Sequence, residues 1–436
     1  RVIIGISSGH GVGQTRGMPL PTGTPTNAQL RSALDARTAQ MLTHVQQFVD
    51  LESPSNEPDL LQRSAEFLAG VMTQVLGKAP EIIPGAKGPH VHWKGGDNAK
   101  VLFVGHHDTV FPKGTVKNRG FSADGDIARG PGIFDMKAGI IQAIYGMSEI
   151  RECEQVEILI SSDEEIGSYT SRELIEARAL ATGNVLVLEP SGNDDALKIA
   201  RKGVGTFTVD IVGRASHAGL EPEKGINALM ELAAQVQAIA AIAKPEVGTT
   251  VTPTVATAGT TENVVPASAR ITVDTRVNLP AEKQRVEQAF AALKPTVPGA
   301  SLTVSGTINR PPMHESAALA LYEIAKRVAP EVGINDLQGI AVGGGSDGNF
   351  TAAIGVPTLD GLGACGGGAH ACPLLNLPVP SCRCSRSSSI SLKFRPTPAT
   401  SSASPPTPVR TSIWWRRLVL TCRTSSSRAR VWIITT

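Results

Sequence analysis

From residue 361 to the end, the chain has no aspartate or glutamate. That stretch holds ten of the 41 lysines and arginines, so the first 360 residues carry 31 basic and 39 acidic groups, a net charge of −8. A body of that sign excludes a generally basic nucleic-acid-binding domain. The basic Ser/Pro/Arg-rich tail, residues 372–436, has two readings. One is a nucleic-acid or membrane arm. The other is a segment out of its native frame. Runs such as Ser385-Arg386-Ser387-Ser388-Ser389 and Ser404-Pro405-Pro406-Thr407-Pro408 are what a frameshift on GC-rich coding DNA yields, so the tail is read as frameshifted after about Ala371, or disordered. Cysteine is scarce in the body, where only Cys153 precedes residue 365. Cys382 and Cys384 lack the second Cys-x-x-Cys or His pair of a zinc finger, and no disulfide framework follows. No apolar run approaches the ~20 residues of a membrane helix. Residues 1–26 lack an apolar core followed by a small-residue cleavage site, so they read as a disordered leader without a secretory signal. The chain opens on Arg1, and the native start is expected at Met18 or upstream. The expected compartment is the cytoplasm, or the periplasm if a leader precedes Arg1; neither membrane nor nucleic acid is an expected partner.

What is present suits a globular protein of two domains: 436 residues, 41% hydrophobic and 18% charged. Leu30, Leu34, Met41, Val45 and Val49 recur at helical spacing, as do Leu60, Leu61, Phe67, Leu68, Val71 and Val75 after Pro58. Short apolar runs at 101–105, 157–160 and 185–188 alternate with helical stretches that begin at Asp135 and near Ser171. That alternation predicts an α/β fold with a mostly parallel central sheet flanked by helices. The pattern changes near residue 199. Alternating stretches at 206–212, 250–255, 270–277 and 301–305, with helices at 226–243 and 281–293, give a βαββαβ order. This is the mark of a ferredoxin-like α+β domain with one exposed sheet face. Pro311-Pro312 leads out of it, and a helix at 316–328 with strands at 339–342 and 356–359 resumes the first domain. The expected division is 27–198 and 311–371 for the first domain, with 199–310 inserted.

The chemistry gathers where strands end. Asp163-Glu164-Glu165 follows the apolar run 157–160 directly. Adjacent acids repel one another unless cations hold them, and neighbouring side chains point in different directions. One of Glu164 and Glu165 therefore suits a metal and the other a proton. His106, Asp108, Asp135, Glu189 and His370 also follow apolar strands or Gly-rich turns. Imidazole with carboxylate suits zinc and similar cations. Two dications would be balanced by Asp135, Glu165, Glu189 and one hydroxide, with His106 and His370 as neutral caps. His107 reads as structural.

Four ordered motifs, His106-His107-Asp108-Thr109-Val110, Gly132-Ile133-Phe134-Asp135-Met136-Lys137-Ala138-Gly139, Asp163-Glu164-Glu165-Ile166-Gly167 and Gly213-Arg214-Ala215-Ser216-His217-Ala218-Gly219, resemble those of the M20 metallopeptidases, in their glutamate carboxypeptidase branch. The resemblance implies a zinc-peptidase-like catalytic domain and a dimerisation domain. It implies two Zn2+ per subunit, or Co2+ or Mn2+, with Asp135 bridging. His106 and Glu189 would complete one site and Glu165 and His370 the other. Asp108 would orient His106. Glu164 would take a proton from a metal-bridging water and pass it to the leaving nitrogen. A cis peptide is implied at Asp135-Met136, and an oxyanion donor at His217, delivered from the partner of a homodimer. Arg310 would bind the substrate carboxylate, with Asn263 and Arg276 as neighbouring contacts and Ser346 on a substrate-facing turn at 343–348. The implied substrate is a small peptide or an N-acyl or aryl amino acid, cleaved at a C-terminal residue such as glutamate. The rival activity is that of an N-acyl-amino-acid deacylase or desuccinylase. The remaining alternative is a product that binds without turnover or is inactivated by its aberrant C-terminus.

Overall fold

The computed structural model describes residues 27–124, 127–150, 153–369, 389–391, 417–424 and 427–434. The leader, most of the 372–436 tail and His370 lie outside the described residues. The chain begins with helices α1 (Asn27–Asp50) and α2 (Pro58–Leu76), then strands β1 (Glu81–Ile83), β2 (His90–Lys94) and β3 (Val101–His106). After α3 (Thr115–Arg119), β4 (Ser122–Asp124) and β5 (Ile127–Arg129) come α4 (Ala138–Ser148), β6 (Val156–Ser161), α5 (Arg172–Thr182), β7 (Val185–Val187) and β8 (Leu197–Arg201). The inserted domain runs β9 (Gly203–Val212), α6 (Ala228–Ala240), β10 (Thr250–Ala258), β11 (Ser268–Val277), α7 (Pro280–Ala291) and β12 (Ser301–Arg310). The chain then returns through α8 (Leu319–Val328), β13 (Gly339–Val342), α9 (Gly348–Ala353) and β14 (Thr358–Leu359). In the tail, Ser389–Ser391 pairs with β5, and Arg417–Thr424 pairs with Ser427–Ile434.

The large sheet has the order β1-β2-β6-β3-β7-β14, parallel from β6 to β14 and closed at the other edge by the antiparallel pair β1 and β2. Every residue of β3 and β6 is buried, as expected of parallel strands covered on both faces. One face packs on α1, α2 and α4 through residues such as Phe48, Leu68, Met72, Ile140 and Ile144. The other packs on α5 through Leu102, Val104, Leu159, Ile175 and Val187. Pro58 starts α2, and Gly77, at φ 73°, ends it by donating its N–H to the Thr73 carbonyl.

The inserted sheet is antiparallel throughout, in the order β10-β11-β9-β12. Phe207, Val209, Ile211, Ile271 and Val273 pack against Leu232 and Ile239 of α6 and Val286 and Phe290 of α7. Phe207 and Phe290 stack with centroids 3.9 Å apart. Asn227 caps α6 by accepting from the Leu229 and Met230 N–H groups.

Several elements escape sequence patterning. β1, β4 and β5 are three residues long. β2 has a polar sequence, because His90 and His92 are buried in it through hydrogen bonds to Ser162 and Glu157. β8 pairs in parallel with β13, so Leu197–Arg201 stays with the first domain and the inserted sheet starts at Gly203. Among the described residues no helix is long and apolar enough to cross a membrane.

Phe290 is 1% exposed and has no other aromatic stacked on it among the described residues than Phe207. Phe290→Ala is expected to destabilise the protein by roughly 3–5 kcal/mol, read as a lower urea midpoint. An unchanged midpoint would remove this stack from the domain's core.

Candidate metal centre

Strands β6, β3 and β7 lie side by side and point the same way, so their carboxyl ends share one edge of the sheet. That edge is where open α/β sheets build sites. β3 ends at His106, β6 runs into Asp163-Glu164-Glu165, and β7 runs through Leu188 into Glu189. Asp135 arrives from the turn before α4. Gly132, at φ 68°, admits that turn, and the Asp135–Met136 peptide bond is cis. The turn can approach β3 because residue 105 is glycine: a Cβ there would come within 2.9 Å of Met136 Sδ. Lys137 then pins the turn to the end of α1, its buried ammonium donating to the Phe48 and Leu51 carbonyls at 2.9 and 2.6 Å.

His106, Asp135 and Glu189 offer donor atoms that all lie within 4.8 Å of one another. The imidazole Nε2 is 3.3 Å from Asp135 Oδ1 and 3.6 Å from Glu189 Oε1. On its other side, Nδ1 lies 3.0 Å from the Asp108 carbonyl and 3.4 Å from its Oδ1. With Nδ1–H committed to Asp108, Nε2 faces the two carboxylates. Burial opposes a charged imidazole here, yet Asp108, Asp135 and Glu189 together hold His106 well above the usual histidine range. A proton and a metal ion compete for that one lone pair, so the donor set fits a dication of the zinc type.

Asp108 does more than orient His106. It is fully buried, takes the Ser55 hydroxyl at 2.7 Å, and accepts the Glu164 and Glu165 backbone N–H groups at 3.2 and 3.1 Å. Its carboxylate thus ties the end of β3 to the acidic turn after β6. Burial alone would raise its pKa, but His106 and Ser55 lower it below the ordinary range.

Glu164 is buried beside this cluster, and Arg310 Nη2 lies 2.9 Å from its Oε1. Burial pushes the Glu164 carboxyl well above the usual range, with Arg310 and His106 opposing and Asp347 and Glu189 reinforcing. Arg310 also donates to the Glu164 carbonyl and to Ser168 Oγ, both at 2.8 Å. A cleft of about 360 Å³ opens here, lined by Glu164, Glu165, Tyr169, Arg276, Asn309 and Arg310 among others. Glu165 is half-buried and lies on the cleft wall, outside the cluster of His106, Asp135 and Glu189.

The other expected site residues fall in different places. Arg276 lines the cleft and is ion-paired with Asp274 at 2.8 Å. His217 and Asn263 are exposed on neighbouring loops of the inserted domain, outside that cleft. His217 Nδ1 accepts the Gly219 and Leu220 N–H groups, which leaves its Nε2–H pointing away as a donor. Ser346, expected to face the substrate, is instead fully buried: its hydroxyl donates to Asp360 Oδ2 at 2.6 Å, and Gly345 lines the cleft. His370 lies outside the described residues.

Sequence reading passed over the cations that face these acids. Arg201 and Lys198 both reach Glu189 Oε2, at 3.0 and 3.8 Å, and Arg201 also pairs with the buried Asp360. Burial works against the Glu189 anion, but Arg201, His106 and Lys198 hold its pKa far below the usual range. The available signal was two cations in the otherwise apolar Leu197-Lys198-Ile199-Ala200-Arg201, a strand too short to show an alternating pattern. His107 is fully buried between Ser64 Oγ and the Pro89 carbonyl, and burial lowers its pKa to about 4. Above pH 6.5 it is neutral in both the folded and unfolded chain. As pH falls from 6.5 to 4 only the unfolded chain gains the proton, so folding loses about 3 kcal/mol across that window. Urea midpoints at pH 7.5 and 4 should therefore fall less in His107→Gln than in wild type; equal falls would refute the assignment.

The chain is similar to known proteins in both sequence and fold. Residues 199–296 match the peptidase dimerisation domain of the M20 peptidases. The chain is 30% identical over 368 residues to carboxypeptidase G2 of a Pseudomonas species, covering 79% of this chain and 86% of that one. It is 29% identical over 161 residues to succinyl-diaminopimelate desuccinylase of a Nitratiruptor species, covering 34% of this chain and 43% of the relative. The fold is shared with an M20 family metallo-carboxypeptidase from Sulfolobus solfataricus, at TM-score 0.62 and 16% identity, over 81% of this chain and 95% of that one. The chain therefore belongs to the M20 metallopeptidases, hydrolases of the metallo-carboxypeptidase and aminoacylase type that use divalent metals.

Proposed function

We propose that this protein hydrolyses the amide bond to a C-terminal amino acid, glutamate among the candidates, in a small peptide or an N-acyl or aryl conjugate. The observation that carries this reading is the cleft itself, which is lined by a buried carboxyl, Glu164, and two guanidinium groups, Arg276 and Arg310, with Glu164 in the electrostatic field of His106 and Glu189 from the neighbouring cluster. His106, Asp135 and Glu189 would hold one divalent cation, and Asp135, Glu165 and His370 a second, zinc in both. When bound, such cations supply Lewis acidity toward a carbonyl and acidify water.

The remaining work belongs to the chain. Glu164 takes a proton from water and passes it to the leaving nitrogen. Burial, with Asp347 and Glu189 nearby, raises its pKa above the usual carboxylate range, which favours its holding a proton between the two steps. Arg310 receives the free carboxylate of the substrate. Its guanidinium lines the cleft and already meets Glu164 and Ser168, so the substrate carboxylate would share a charged donor held in place by those groups. Arg276 extends the positive wall. His217, with its Nε2–H free to donate, serves the cleft of a partner subunit, with Asn263 beside it, in a homodimer built on the inserted domain. The similarity to a desuccinylase favours a second reading, N-acyl-amino-acid deacylation at the same centre.

Hydrolysis of N-acyl and peptidyl conjugates ending in Glu, Asp or an apolar residue, with and without chelator, should show chelator-sensitive release of the C-terminal residue. Succinyl substrates preferred by roughly tenfold or more would favour the second reading. Glu164→Gln is expected to keep about two metal ions per chain by elemental analysis while losing roughly two to four decades of kcat. Full turnover in that variant would take Glu164 out of the mechanism.

A further inference from the structure

We propose that Arg201 is a positioning residue: it claims one oxygen of Glu189, leaves the other for the metal, and ties that ligand to the crossing between the two domains. The proposal rests on the reading of Glu189 as a metal ligand. Arg201 ends β8, two residues before the inserted sheet begins. Its backbone exchanges both hydrogen bonds with Met313, at 3.0 Å each, so the chain segments that lead into and out of the inserted domain are joined there.

Each of its five N–H donors has a partner. Nε and Nη2 form a fork on Asp360, at 2.7 and 2.9 Å. Nη1 donates to the Gly344 and Gly345 carbonyls at 3.1 and 3.0 Å, and the second Nη2 donor reaches Glu189 Oε2 at 3.0 Å. The side chain is only 3% exposed. Glu189 consequently has divided duties: Oε2 faces Arg201, with Lys198 at 3.8 Å, while Oε1 faces His106 Nε2. A carboxylate so held presents one oxygen to a cation. The same guanidinium fixes Gly345, which lines the cleft. A lysine at this position could keep the charge but not the fork that meets Asp360 and Glu189 together.

The test uses the full-length protein stripped of metal. Zinc is titrated against a competing chelator, and the melting temperature of each stripped form is measured alongside. Arg201→Lys is expected to bind zinc roughly tenfold more weakly, and Arg201→Met roughly a hundredfold. The visible spectrum of the cobalt-loaded Arg201→Lys protein should shift as Glu189 Oε2 becomes free to coordinate. Wild-type zinc affinity and an unchanged cobalt spectrum in Arg201→Lys would overturn the proposal, whatever the melting temperature does. If Arg201→Met does not fold, Arg201→Lys decides alone. Glu189→Gln separates the two layers. If it binds zinc as wild type does, the ligand reading fails. If it loses zinc while Arg201→Lys keeps it, only the positioning role fails.

Discussion

Repulsion between carboxylates is the constraint around which this molecule is arranged. Asp108, Asp135, Glu164 and Glu189 are brought to one end of a buried parallel sheet, where Asp108, Glu164 and Glu189 are buried and Asp135 is half-buried, so water screens them little. Such a group of anions stays folded only with fixed countercharge. Arg201 and Lys198 face Glu189, Arg310 faces Glu164 and Asp347, and His106 stands among Asp108, Asp135 and Glu189. A charge balance written from the proposed ligands alone therefore omits half of the field. Arg201 offsets Asp360 and Glu189 together, and Arg310 offsets Glu164 and Asp347.

Both arginines stand where the chain passes between domains. Arg201 closes β8 just before the inserted sheet, and Arg310 closes its last strand just before Pro311-Pro312. The inserted domain is therefore more than an appendage to the sheet. Its entry and exit carry the cations that hold two acids of the proposed site. The cleft wall draws on both domains, with Glu164 and Glu165 from one and Thr206, Arg276 and Thr307 from the other.

Asp108 shows how one side chain can organise such a site. A single buried carboxylate meets His106, Ser55 and two backbone N–H groups of the acidic turn. It therefore sets the spacing between a proposed metal ligand and the proposed proton carrier.

The residue order alone determined the larger outlines, because periodicity and strand-end chemistry are local properties. Burial along β3 and β6, the helical spacing of α1 and α2, and the βαββαβ succession are each written in a few consecutive residues. His106, Asp135 and Glu189 could be singled out because each follows an apolar strand or a Gly-rich turn. Which partner each acid keeps was decided only in three dimensions. Arg201 and Glu189 are separated by a strand and a turn, Arg310 and Glu164 by α5, β7, β8 and the inserted domain. Ser346 turned inward because Asp360, brought beside it by the fold, needed its hydroxyl. Pairings of that kind depend on the geometry of packing, which no window of neighbouring residues contains.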